Sequence, residues 1–204
     1  MNLFLASQAS ETLDLLIPCL KKKPQEMHIL VVTTASNLYD NHPWLDRDIA
    51  KLNELKFKPV SIDIAKMNLI EIARIIEGID LIFVGGGNTS YLLEQSKKSG
   101  FFELIKQYSK KDIWYVGSSA GSVIAGPNIE YDMLYDEGEF GKILDSYVGF
   151  EFIKFVPIPH AGNSEQLPFI EKALLQYGSK YDMKLLTDKQ AFLIKDNHIQ
   201  LVEV

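Results

Sequence analysis

Short apolar runs alternate along the chain with stretches whose apolar residues recur at helical spacing. Residues 3–6, 28–33, 60–64 and 81–84 read as strands, and residues 11–20, 44–56, 69–77, 91–97 and 101–108 as helices. His28-Ile29-Leu30-Val31-Val32-Thr33 is apolar almost throughout, as a central parallel strand covered on both faces requires. Pro43 suits the start of the second helix, and Pro24 lies beyond the end of the first. Strands that alternate with helices predict βαβ units. The fold class is therefore α/β: a doubly wound, mostly parallel sheet with helices on both faces.

The rhythm breaks after Gly126. Residues 127–149 are rich in Asp, Glu, Tyr and Gly and predict a long loop with short pieces of structure near a cleft. Residues 152–158 are strand-like up to Pro159-His160, and 165–177 have helical spacing. The stretches 185–186, 191–194 and 199–204 read as short strands, with Asp196-Asn197 as a turn between the last two. No repeat or linker interrupts the pattern, so one domain spanning 1–204 is expected.

Composition narrows the function classes. The 204 residues are 47% hydrophobic and 24% charged, ordinary values for a globular protein. A net charge of −6 offers no phosphate-neutralising surface, so nucleic acid is not an expected partner. Lys21-Lys22-Lys23 sits at a predicted helix end, where cations suit the dipole. The opening Met1-Asn2-Leu3-Phe4-Leu5-Ala6 reads as a first strand rather than a signal peptide, and no membrane partner is expected. The one cysteine, Cys19, lies in a helical pattern and suits a core thiol in a reducing cytoplasm.

The candidate chemistry lies where strands end. Asp112-Ile113-Trp114-Tyr115-Val116 runs into Gly117-Ser118-Ser119-Ala120-Gly121, a Gly-x-Ser-x-Gly pattern in which the middle serine occupies a sharp strand-to-helix turn. Ser119 is the candidate nucleophile; Ser118 and Ser122 are rival hydroxyls, and Ser119 as a helix cap is the bland alternative. The amide of Ala120 would face a developing negative charge at the helix start. Of four histidines, His160 alone follows an apolar strand at its carboxyl end, where it is either a general base or a cap for the next helix.

Gly85-Gly86-Gly87-Asn88-Thr89 lacks the full dinucleotide fingerprint and the lysine of a phosphate-binding loop. Its bare amides suit an oxyanion hole. A flavodoxin-like binding module, with this loop cradling phosphate, is the alternative from a different class.

The order Gly-Gly-Gly-Asn-Thr, Gly-x-Ser-Ala-Gly, Pro-His resembles the peptidase E (aspartyl dipeptidase) family of serine peptidases, relatives of cyanophycinases with a class I glutamine amidotransferase-like sheet. The resemblance covers nearly the whole chain. It implies Ser119 as nucleophile, His160 as base, and the amides of Gly87 and Ala120 as oxyanion hole, with Asn88 beside them. It places Asp188 where the dipeptidases carry the glutamate of the triad. Asp132, in Tyr131-Asp132-Met133, is a second carboxylate for orienting His160 or binding substrate; a turn or cap is the alternative for either aspartate.

Dipeptidases that take an N-terminal aspartate carry an arginine just after the histidine, whereas Gly162-Asn163-Ser164-Glu165-Gln166-Leu167-Pro168 has none. Aspartyl specificity is thus not implied. The expectation is a serine-type dipeptidase or exopeptidase acting on small peptides through an acyl-enzyme; hydrolysis of a non-peptide amide or ester is its nearest rival. Neither metal nor organic cofactor is needed, and a homodimer is left open. The acidic stretch 130–139 is expected to cover the cleft and favour a free amino terminus.

Overall fold

The computed structural model describes residues 1–134, 144–196 and 198–204. Its strands are β1 (Asn2–Ala6), β2 (Ile29–Val32), β3 (Pro59–Ile62), β4 (Leu81–Val84), β5 (Trp114–Ser118), β6 (Val156–Ile158), β7 (Met183–Leu185), β8 (Gln190–Lys195) and β9 (His198–Glu203). The main sheet has the order β3-β2-β4-β5-β1-β8-β9. Its first five strands are parallel, and β8 and β9 continue it antiparallel.

Side chains alternate between two cores, as the two-residue period of a strand dictates. On β1, Leu3 and Leu5 enter one core and Phe4 and Ala6 the other; on β4, Ile82 and Val84 face away from Leu81 and Phe83. The first core is closed by α3 (Leu69–Ile76), α4 (Thr89–Lys98), α5 (Phe101–Tyr108), α6 (Ala120–Val123) and α7 (Leu167–Tyr177). The second is closed by α1 (Ala9–Thr12), α2 (Pro43–Glu54) and the 3₁₀ segment Leu13–Cys19. Helices therefore cover both faces of a mostly parallel sheet, as the alternation predicts. Among the described residues no helix is long and apolar enough to cross a membrane.

Two predicted elements differ. The helix expected over 11–20 is only the single turn of α1 followed by 3₁₀ structure, with Pro18 inside it. Pro18 has no amide to donate, which shortens any regular α-helix here. The strand expected over 152–158 is confined to β6, and it pairs in parallel with β7 in a separate two-stranded sheet. The long loop after Gly126 contains one short 3₁₀ turn, Glu130–Leu134, and an isolated bridge between Asn128 and Val148. Residues 135–139 of the acidic stretch, and Asn197 of the predicted turn, lie outside the described residues.

The sheet brings three carboxyl ends to one edge. Ala6 of β1 pairs with Ser118 of β5, and Val84 of β4 pairs with Gly117. The residues that follow, Ser7, Gly85 and Ser119, therefore begin side by side at the place where ligands bind in open α/β sheets.

Candidate active site

Ser119 sits between β5 and α6 with φ 48° and ψ −110°, a conformation that non-glycine residues rarely adopt. The glycines of its motif make that turn sterically feasible. A Cβ on Gly121 would lie 2.0 Å from the carbonyl oxygen of Val84, so only glycine lets α6 approach β4 this closely. The rival hydroxyls are engaged in building the turn. Ser122 donates to the carbonyls of Ala6 and Gly117 at 2.7 and 2.9 Å, and Ser118 accepts from the Ala9 amide at 3.1 Å. The Ser119 side chain makes no cap hydrogen bond to its helix.

The small sheet delivers the other two groups. Parallel strands β6 and β7 end together, tied by Leu186 N–H to Ile158 C=O and Ala161 N–H to Leu186 C=O, both at 2.9 Å. His160 follows β6 with φ 63°, and Asp188 follows β7. The Ser119 Oγ to His160 Nε2 distance is 2.9 Å, and His160 Nδ1 to Asp188 Oδ1 is 2.6 Å. The hydrogen bond from His160 holds the half-buried Asp188 carboxyl below its ordinary pKa, against partial desolvation; the Ser7 hydroxyl assists. The chain thus joins three side chains far apart in sequence into one hydrogen-bonded relay.

Ser7 completes it. Its hydroxyl accepts from the His160 backbone amide at 2.8 Å and donates to Asp188 Oδ1 at 2.7 Å. Sequence reasoning missed it; a polar residue directly after a buried strand, beside the strand that carries the serine, is the signal that could have found it.

Ser119, His160 and Asp188 open into a cavity of about 360 Å³ that Gly86, Gly87, Asn88, Asp132 and Phe169 also line. Gly87 has φ 134°, and a Cβ there would fall 2.2 Å from the Ala35 carbonyl oxygen, so this turn takes no side chain; beside it, a Cβ on Gly86 would lie 3.3 Å from Ser119 Cβ. Ala120 follows Ser119 directly and is buried. Asn88 caps α4 by accepting from the Tyr91 amide at 2.8 Å. Asp132 lies 3.5 Å from the Ser90 hydroxyl, whereas Asp188 is the carboxylate on His160. Glu130, at the start of the acidic stretch, is held by Lys180 and Tyr181 rather than turned over the cleft.

Below the floor lies Asp48 of α2, fully buried, which accepts from Gln8 Nε2 at 3.1 Å and the Ser10 amide at 2.8 Å through Oδ1. Burial lifts its pKa from 3.8 to about 6; the neighbouring Ser118 hydroxyl damps the rise, yet among the described residues Oδ2 has no hydrogen-bond partner. An acid whose pKa is higher folded than unfolded takes its proton first in the native state. The stability that this group contributes therefore falls as pH rises between about 4 and about 6 and levels off above. Asp48→Asn is expected to stabilise the fold by on the order of 1–3 kcal/mol at pH 7.5 and by little at pH 4. Urea unfolding at both pH values checks it; an equal effect at both would contradict the buried charge.

Comparison with known proteins identifies the family. A Listeria innocua protein named Uncharacterized peptidase Lin0382 is 28% identical over 97% of this chain and 94% of its own length. Escherichia coli Peptidase E is 41% identical over a 54-residue segment, 26% of this chain and 24% of the enzyme. The crystal structure of a Listeria monocytogenes EGD-e protein described as of peptidase E type superposes with a TM-score of 0.92 at 26% identity, covering 100% of this chain and 98% of the other. A peptidase from an acI-B1 Actinobacterium shares the fold, with a TM-score of 0.72 at 17% identity, over 100% of this chain and 87% of that one. The model of peptidase family S51 matches residues 3–202, so the chain whose strand ends assemble this serine, histidine and aspartate belongs to that family and is a serine peptidase.

Proposed function

We propose that the protein hydrolyses small peptides, dipeptides foremost, through an acyl-enzyme on Ser119. One observation carries the reading: the 2.9 Å and 2.6 Å contacts that run from Ser119 through His160 to Asp188. In the tautomer this chain favours, Nδ1–H donates to Asp188, which leaves the Nε2 lone pair to accept the serine proton. Ser119 Oγ attacks the scissile carbonyl as His160 takes its proton. His160 then returns the proton to the amine as the C–N bond breaks, leaving an ester on Ser119. Water, deprotonated by the same imidazole, hydrolyses that ester.

The oxyanion would be held by the amides of Gly87 and Ala120, which donate to no described backbone carbonyl. Asp132, on the cavity wall, is suited to a substrate's ammonium group. The cavity volume lies near the low end for ligand sites, which supports a short substrate.

The test is a library of dipeptides and tripeptides, free and blocked at the amino end, assayed with wild type beside Ser119→Ala. Cleavage of free dipeptides that vanishes in the variant is the expected result. Hydrolysis confined to non-peptide amides or esters would contradict the substrate class.

Ser7 is a positioning residue in this account. Ser7→Ala is expected to lower kcat roughly 10-fold with KM little changed, because a hydrogen bond to a charged group is lost from the group that orients His160. A change confined to KM, read from steady-state kinetics, would contradict that role.

A further inference from the structure

The cavity wall holds one Arg or Lys among the described residues, Arg47. It lies on α2 between two fixed neighbours. Trp44, three residues earlier, donates from its indole to the Ser36 hydroxyl at 3.0 Å and packs edge-on against Tyr39. A Cβ on Gly86 would meet both the Trp44 indole, at 3.5 Å, and Ser119 Cβ, at 3.3 Å. Asp48, one residue later, is buried beneath the floor. Trp44, Arg47 and Asp48 follow the i, i+3, i+4 spacing of one helix face, so that face is turned to the site.

Arg47 is exposed, and among the described residues its guanidinium makes no hydrogen bond or salt bridge. Its charge still reaches Asp188, where it adds a small pull to the larger effects of His160 and Ser7. Arg47 thus shares one cavity with His160 and Asp188. The leaving amine takes its proton from His160 Nε2, so the leaving residue lies beside the imidazole, in the cavity that Arg47 also lines. In a dipeptide the carboxylate is separated from the scissile nitrogen by a single Cα. Asp132, which contacts Ser90 beyond the glycine turn, supplies the opposite charge elsewhere on the wall.

We propose that Arg47 determines specificity by binding the free C-terminal carboxylate of the leaving residue, so that the preferred substrates are dipeptides with an unblocked carboxyl end. The inference rests on the peptidase reading of Ser119, His160 and Asp188. A guanidinium fork matches a carboxylate bidentately, which an ammonium cannot do. It would give a site without an arginine after the histidine a guanidinium for a substrate carboxylate, at the leaving end rather than on the acyl side chain.

The experiment compares kcat/KM for one dipeptide as the free acid and as its C-terminal amide, in wild type, Arg47→Ala and Arg47→Lys. Wild type is expected to favour the acid roughly 10-fold, the size of an exposed but bidentate charge pair. Arg47→Ala is expected to collapse that preference toward unity, mainly through KM for the acid, and Arg47→Lys to keep part of it. Equal cleavage of acid and amide by wild type would overturn the subsite alone. Equal slowing of both substrates in Arg47→Ala would also overturn it, because Arg47 would then act only through Asp188. If wild type shows no Ser119-dependent cleavage of any peptide, the reading of the site falls and the subsite falls with it.

Discussion

Ser119→Ala is expected to lower kcat on the best dipeptide by about 10³-fold or more while leaving the fold intact. The substitution removes one oxygen, and that oxygen's hydrogen bond is the 2.9 Å contact with His160. Alanine keeps the same Cβ at the unusual φ of 48°, so the turn is no more strained than before. A loss of 10³ corresponds to about 4 kcal/mol of transition-state stabilisation. Residual turnover would come from the two backbone amides and from substrate binding. Steady-state kinetics with a thermal melt on the same sample reads both quantities. Activity within 10-fold of wild type, at an unchanged melting temperature, would contradict the nucleophile.

Asp188→Asn is expected to cost about 10²–10⁴ in kcat with a small change in KM. The carboxylate accepts from His160 Nδ1 and from Ser7 on the same oxygen, Oδ1. An asparagine that turns its amide toward Nδ1 would favour the wrong tautomer and leave the Nε2 lone pair unavailable to Ser119. Asp132→Asn is the matched control, since it removes the other candidate carboxylate. Its expected effect is on KM for peptides with a free amino end, because Asp132 lies by Ser90 and not against the imidazole. A larger kcat loss for Asp132→Asn than for Asp188→Asn would reverse the assignment.

Much of this was legible in the chain because strands buried on both faces have few alternatives. Ile29–Val32 and Leu81–Val84 are continuously apolar, and each occupies the middle of the parallel sheet with every residue buried. Gly117-Ser118-Ser119-Ala120-Gly121 was readable because its close approaches exclude side chains, as the 2.0 Å contact at Gly121 makes plain. Asp188 was reached through family resemblance, since its own residues describe only a polar turn.

The missed parts depend on distant chain segments meeting. Ser7 matters because β1 pairs with β5, and Arg47 because the start of α2 reaches the cavity wall, and no local pattern encodes either. The two-stranded sheet was read only in part for a related reason. Residues 152–158 and 185–186 read as strands, but no local pattern says that Val156–Ile158 and Met183–Leu185, three residues each, pair with one another apart from the main sheet.

The central claim is that one hydroxyl, on Ser119, is activated by His160. Fluorophosphonate labelling, mapped by peptide mass spectrometry on wild type, Ser119→Ala and His160→Gln, reads it most directly. The account predicts a single adduct on Ser119, absent from the alanine variant and formed at least about 100-fold more slowly in the glutamine variant. An adduct on Ser118 or Ser122, or labelling of Ser119 at an undiminished rate without the imidazole, would contradict it.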